Sequence, residues 1–353
     1  MEEVIKENAR CSVVILNYNG KGIVTKCISS LIESSYQDLE IILIDNYSTD
    51  ESYEECVRLL DTVPNSIAIK NNSNIGFTKG FNQGLSVSSG EYIILLNNDV
   101  ILEPDSISNY IKFMKANPNV GLAEGRIINV YNDVSGLTSD PTIINFFGIL
   151  HEGGDKQADE STFQNITRIY SPIGAWPIIR RSTYLTLGGY DEDYYMFEEI
   201  RDLSARVWMS GQEVGYVFDA VCRHVGRTST FSYGKKTAEK LMFHATKNSI
   251  MFFLKNYQVV SIMKNFFPYL ILRIIDLIDT ITKLGIGGGK IKLKAYIWIL
   301  RNISAINLKR RFLNKNIRRV NDKIALTALR KASFKKIAFI VRSRNEYQSK
   351  MNA

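Results

Sequence analysis

The sequence predicts an α/β protein, a mostly parallel sheet with flanking helices, followed by a basic helical region at the C-terminal end. Three observations carry this. Short β-branched runs alternate with amphipathic stretches over the first two-thirds of the 353-residue chain. Each run breaks at once into polar, turn-forming residues. The charge is also divided: residues 1–234 hold 18 Lys and Arg against 31 Asp and Glu, while residues 235–353 hold 26 against 5.

In chain order, strands are expected at Ser12–Leu16, Glu40–Ile44, Ile67–Lys70, Tyr92–Leu96 and Gly121–Asn129. Between them Ile23–Ile32, Glu51–Leu60, Thr78–Val87 and Ser106–Met114 carry apolar residues at helical spacing. Residues 131–172, rich in Gly, Ser, Asp and Asn, read as an irregular loop region. Gly188-Gly189-Tyr190-Asp191-Glu192-Asp193 leads into a helix expected over Tyr195–Met209, and Val214–Phe218 reads as one more strand. Past residue 235, Phe266, Phe267, Leu270, Ile271, Ile274, Leu277, Ile278 and Ile281 recur at three-four spacing. Gly285–Gly289 reads as a hinge and Lys290–Ile303 as a further helix. The expected division is a catalytic domain over 1–234 and a basic amphipathic helical region over 235–353.

Composition narrows the classes. With 45% hydrophobic and 23% charged residues the chain is globular, not disordered or fibrous. Cys11, Cys27, Cys56 and Cys222 form no Cys-x-x-Cys pair and follow no signal peptide, so neither a disulfide frame nor a zinc site is expected, and a reducing cytoplasmic setting is. No stretch reaches the ~18 uncharged apolar residues of a spanning helix. The cationic tail points to an anionic partner. It fits helices lying in a membrane interface, on the inner face of the cell membrane, or a subdomain whose apolar faces pack on each other. Nucleic acid is the weaker partner, because the tail's aromatics lie within apolar stripes and no nucleic-acid module is evident.

Three polar loops follow strands: Asn17-Tyr18-Asn19-Gly20, Asp45-Asn46-Tyr47-Ser48-Thr49-Asp50 and Asn97-Asn98-Asp99. In parallel sheets ligands bind beyond the carboxyl ends of strands, so the loops are expected to meet in one crevice, although Asn, Asp and Gly also end strands for no other reason. Asp99, preceded by two amides, offers hard oxygen ligands of the kind Mg²⁺ or Mn²⁺ prefers.

Several segments occur in one order: Val14-Ile15-Leu16-Asn17-Tyr18-Asn19-Gly20, Ile44-Asp45-Asn46, Asn74-Ile75-Gly76-Phe77, Leu96-Asn97-Asn98-Asp99, Gly188-Gly189-Tyr190-Asp191-Glu192, Asp202-Leu203-Ser204-Ala205-Arg206, and His224 before Gly226 and Ser229. In this the chain resembles glycosyltransferase family 2, with its GT-A (Rossmann-like) fold, and most of all rhamnosyltransferase-like bacterial and archaeal members. The resemblance runs from Val13 to about Ser229. It implies an inverting, metal-dependent transfer from a nucleotide-diphosphate sugar, with deoxythymidine-diphosphate rhamnose one donor it suggests, to a glycan or polyprenyl-linked acceptor in cell-surface glycan synthesis.

The resemblance also implies roles. Asn17 and Asp45 would hydrogen-bond the nucleotide base and ribose; Asn74, Gly76 and Phe77 would shape the floor beneath the nucleoside or sugar, and Asn19 and Asn98 would also contact the nucleotide sugar. Asp99 takes the last position of the Asp-x-Asp motif and would bind the metal, with Asn97 at the first position and His224 reaching metal or diphosphate. Arg227 would add charge to the phosphates. Trp176 would stack on a sugar, or else pack in the core. The catalytic base would come from Glu198 or Glu199, with Asp202 supporting. One residue is inserted there relative to the family pattern, so the two registers of Met196-Phe197-Glu198-Glu199-Ile200-Arg201-Asp202 stay open, and with them the reading of an inactive sugar-nucleotide-binding relative.

Overall fold

The computed structural model describes residues 9–131, 134–138, 164–225 and 235–326. Nine strands form one sheet: β1 (Cys11–Asn17), β2 (Leu39–Asp45), β3 (Ser66–Lys70), β4 (Tyr92–Asn97), β5 (Val100–Leu102), β6 (Val120–Tyr131), β7 (Val134–Thr138), β8 (Ile178–Arg180) and β9 (Glu213–His224). Their order is β3-β2-β1-β4-β8-β6-β9-β5, with β7 added on β6. The four strands β3-β2-β1-β4 are parallel, as expected. The other half is mixed, because β8 runs antiparallel to both β4 and β6 and β5 runs antiparallel to β9.

Helices cover both faces, which is why the strands are apolar throughout rather than alternating. Successive residues of β1 point to opposite sides, Val14 into one cluster and Val13 and Ile15 into the other. The second cluster takes α1 (Val24–Ile32), α2 (Ser52–Leu60) and α4 (Ser106–Ala116). The first takes α3 (Phe77–Val87), α6 (Glu199–Met209) and α7 (Lys235–Asn256). A short α5 (Arg181–Leu187) precedes α6.

The remainder is α8 (Val259–Phe312), followed by a π-turn over Leu313–Ile317 and a short α9 (Asp322–Ala325). Within α8, Gly285 is non-helical at φ 69°, ψ −172°. That left-handed break suits glycine and turns the chain back on itself. Lys292 Nζ accordingly meets Asp276 Oδ1 at 2.5 Å across the turn. The expected hinge is thus the corner of a helical hairpin with arms 259–284 and 286–312.

Two expectations need correction. α6 begins at Glu199, not Tyr195, because Tyr195, Phe197 and Glu198 hold positive φ and cannot continue a right-handed helix. Within 131–172, residues 134–138 are a strand, and residues 139–163 lie outside the described residues. The change of charge at 234/235 is no break in packing. Met251, Phe252 and Phe253 of α7, Ile262 and Tyr269 of the first arm, and Ile299 and Ile306 of the second belong to the same buried cluster as Val14 and Leu203.

Candidate active site

The carboxyl ends of β1, β2 and β4 do meet. A crevice of about 280 Å³ is lined by Leu16, Tyr18, Asn46, Asn74, Gly76, Phe77, Asn97, Asn98, Asp99, Tyr195 and Met196. Asn97 ends β4, and Asn98 and Asp99 form the turn into β5. Because Val100 of β5 pairs with His224 of β9, the histidine falls beside Asp99, with Nε2 3.3 Å from Oδ1. That oxygen is buried and, apart from His224, meets no donor among the described residues. Burial alone would lower the pKa of His224, but the adjacent Asp99 carboxylate raises it above the ordinary value.

These groups fit a divalent ion. Asp99 keeps free lone pairs, His224 stands next to it, and Asn97 can offer an amide oxygen. Among the described residues no cluster of three or more His, Cys, Asp or Glu side chains forms a complete protein cage. Mg²⁺ and Mn²⁺ sites that share their ion with a diphosphate need none.

Asn17 and Asp45 are placed differently from the role implied for them. Both are fully buried. The Asn17 amide donates to Asp45 Oδ1 at 2.8 Å and to Ser52 Oγ at 2.9 Å, while its oxygen accepts from Asn98 Nδ2 at 2.8 Å. Asp45 also accepts from the backbone and hydroxyl of Ser48. Their polar capacity therefore goes into tying the three loops together. Asn19 closes the same turn, accepting from the Thr49 N–H at 2.9 Å. From the first two loops the residues presented to the crevice are Tyr18 and Asn46.

Gly76 sits at φ 92°, and a Cβ there would lie 2.5 Å from the Tyr195 ring. Its N–H is held by Asn74 Oδ1 at 3.0 Å, and Phe77 donates its N–H to Tyr195 O at 2.9 Å. The floor of the crevice is thus α3's first turn clasped to the loop ahead of α6.

Trp176 is corrected to a core residue. It is fully buried, its ring 4.3 Å from that of Tyr110, and cannot stack on a sugar. Its segment is positioned by Glu124, whose buried carboxylate accepts from the N–H groups of Ile173, Gly174 and Ala175. Arg227, like Gly226 and Ser229, lies outside the described residues.

The three acids at α6 have separate fates. Glu198 pairs with Arg201 Nη1 at 2.5 Å. Asp202 is fully buried among Arg206 (2.9 Å), Lys255 (2.7 Å), Asn256 Nδ2 (2.7 Å) and Tyr194 OH (3.0 Å). Burial opposes its ionisation, yet Lys255 and Arg206 hold its pKa below the ordinary value. Among the described residues Glu199 pairs with no cation and its buried Oε2 has no hydrogen-bond partner. Burial, with Glu198 and Asp202 adding to it, pushes its pKa up to about 7. It follows Met196, which lines the crevice, by three residues.

The loop 195–198 is held from a place sequence reasoning passed over. Asn248 of α7, fully buried, donates its amide to Tyr194 O (2.8 Å), Met196 O (2.6 Å) and Phe197 O (2.9 Å). Lys240 Nζ donates to Tyr195 OH at 2.8 Å, and His244 stacks on the Tyr195 ring with centroids 4.9 Å apart.

A mixed sheet whose β1, β2 and β4 loops enclose such a crevice defines a GT-A domain. Two solved structures share this fold. One is the mannosyltransferase PcManGT from Pyrobaculum calidifontis in complex with GDP-Man and Mn²⁺ (TM-score 0.52, 15% identity, 97% of this chain and 88% of that one). The other is S. aureus TarS 1–349 in complex with UDP-GlcNAc (TM-score 0.53, 12% identity, 84% and 92%). Residues 12–169 match the family model Glycosyl transferase family 2, so the chain carries a domain of glycosyltransferase family 2. Among curated relatives, the UDP-Glc:alpha-D-GlcNAc-diphosphoundecaprenol beta-1,3-glucosyltransferase WfaP of Escherichia coli is 30% identical over 139 residues, 39% of this chain and 55% of that protein. The chain spans 34% to 55% of the length of such relatives.

Proposed function

We propose that the protein is an inverting glycosyltransferase that moves a sugar from a nucleotide-diphosphate donor to a glycan acceptor carried on a membrane lipid. The observation that carries this is the crevice at the ends of β1, β2 and β4, where Asp99 holds a buried carboxylate oxygen 3.3 Å from His224 and Asn97 lines the same space. Glu199, three residues past the lining Met196, supplies a buried carboxylate whose pKa burial pushes up to about 7.

Asp99, His224 and Asn97 are the residues that would hold Mg²⁺ or Mn²⁺, which supplies charge neutralisation for the departing diphosphate. The Mn²⁺ in the PcManGT complex supports that assignment. Glu199 acts as general base. It takes the proton of the acceptor hydroxyl as that oxygen attacks the anomeric carbon, and the bond from that carbon to the diphosphate oxygen breaks on the opposite face. Glu198 cannot serve equally, since Arg201 neutralises it. Asp202 anchors the helix. A lipid-linked acceptor is supported by the diphosphoundecaprenol named in the E. coli relative's activity.

A thermal-shift screen of nucleotide sugars with and without Mn²⁺ tests the reading. One donor is expected to raise Tm only with metal, by about 2.7 kcal/mol of stabilisation at a hundred times Kd. Metal-dependent hydrolysis of that donor is expected to drop on the order of a hundredfold or more in Asp99→Ala and ~10²–10⁴-fold in Glu199→Gln. Full activity in Glu199→Gln would remove the base assignment.

A further inference from the structure

The helical hairpin 259–312 has two sides that follow different rules. Its inner side is core: Ile262 and Tyr269 on one arm, Ile299 and Ile306 on the other. Its outer side is apolar as well. Of the 25 large hydrophobic residues left exposed in the described structure, 17 lie between Val259 and Phe312, among them Met263 at 71%, Phe267 at 70% and Leu300 at 71% exposed. A patch of this extent on a water-soluble surface marks a contact site.

The charges around it select the occupant. Residues 259–312 contain ten Lys and Arg and two acids. The acids, Asp276 and Asp279, are paired with Lys292 and Lys283 inside the hairpin. The outer stripe is instead flanked by the exposed cations Lys264, Lys290, Lys294, Arg301 and Arg311. A second copy of this face would set cation against cation. An anionic bilayer surface satisfies both features at once, apolar side chains entering the acyl boundary while lysines and arginines meet headgroup phosphates. No helix among the described residues is long and apolar enough to cross a membrane, so the arms lie along the surface.

We infer that this hairpin is the protein's membrane-docking element, seated on anionic lipid by the outer stripe of its two arms. The inference rests on the proposed lipid-linked acceptor and names the partner of that site. The inner side of the hairpin reaches the segment just ahead of the 195–198 loop, with Lys309 Nζ 2.6 Å from both Asp191 Oδ1 and Asp193 Oδ2. Docking therefore fixes the height and tilt of the crevice over the bilayer.

The test sediments the full chain with phosphatidylcholine vesicles with and without phosphatidylglycerol. Binding is expected only with the anionic lipid. It should fall on the order of tenfold or more in Phe267→Glu with Leu300→Glu, and the anionic preference should vanish in Lys290→Glu with Lys294→Glu and Arg301→Glu. Hydrolysis of a soluble nucleotide sugar should be unchanged in both variants. Vesicle binding that persists in the first variant, or a solution dimer that this variant converts to monomer, overturns the inference. Should a variant fold poorly, hydrogen exchange on the unmodified chain decides: protection by anionic vesicles must fall within 259–312, and its absence there sinks the proposal. Loss of docking with intact hydrolysis removes the docking surface alone, while docking without any hydrolysis or donor binding removes the transferase reading.

Discussion

Glu198 and Glu199 are chemically alike and adjacent, yet one meets a guanidinium at 2.5 Å and the other buries an Oε2 with no hydrogen-bond partner among the described residues. Glu198 stands at the N-cap with φ 68°, and Glu199 is the first residue of the helix. A pH dependence follows. The pKa of Glu199 is raised from 4.5 to about 7, so the folded state favours the protonated acid. A base must be unprotonated, and kcat/KM is expected to climb with pH and level off above about 7, a limb that Glu199→Gln abolishes. Stability runs the other way. Below pH 4.5 the buried acid is neutral and harmless; as pH rises through 7 its charge destabilises the fold by up to about 3 kcal/mol. Glu199→Gln is therefore expected to melt higher than the unaltered chain at pH 8 and nearly level with it at pH 5, measured by calorimetry. An equal gap at both values would refute the buried charge. Among single residues the sequence made positions legible more than roles. Asn17 and Asp45 do stand at strand ends over the crevice, but their hydrogen bonds are spent on Ser48, Ser52 and Asn98, partners up to 81 positions away that no local pattern reveals.

At the scale of elements, the parallel half of the sheet was readable because its strands are short, apolar and followed by turn residues. The mixed half was not. The strands β5 and β8 have three residues each, too few for a period, and are defined by their pairing, β5 with β9 and β8 with β4 and β6. The start of α6 was misplaced because acids at helical spacing say nothing about φ. What stabilises the left-handed turn is Asn248, whose amide bridges three carbonyls that a helix would have satisfied internally. A lone asparagine inside a lysine-rich helix carries no signal of this in sequence. Asn248→Ala leaves those buried acceptors short of a donor, at about 1–3 kcal/mol. It is expected to lower kcat for transfer on the order of tenfold while KM for the donor changes little, since Asn74 and Gly76 stay in place. A matching rise in KM with kcat unchanged would assign Asn248 to donor binding instead.

For the whole molecule, the question is whether the basic region is an appendage or a part of the catalytic unit. Charge divides the chain at 234/235, but a buried ion lattice crosses that point: Lys255 of α7 touches Asp202 at 2.7 Å and Asp191 at 2.5 Å, and Lys309 of the hairpin shares Asp191. Lys255 and Asp202 are only 2% and 0% exposed, so neither charge can be repaid by water if its partner goes. Two consequences separate the readings. A chain ended at residue 234 would uncover Val14's side of the core, take both lysines from Asp191 and leave Asp202 with Arg206 alone. It is expected to be aggregated, or compact without a cooperative melt and bright with a hydrophobic dye. Lys255→Met removes one cation and leaves the helices in place, and should cost about 3–5 kcal/mol, the scale for breaking a buried pair. Adding Asp202→Asn should lower stability further, since the buried Arg206 then loses its carboxylate partner. A 1–234 chain that melts cooperatively at the temperature of the full protein would show that the region beyond 235 merely leans on a self-sufficient domain, and would detach the hairpin's docking from the geometry of the active site.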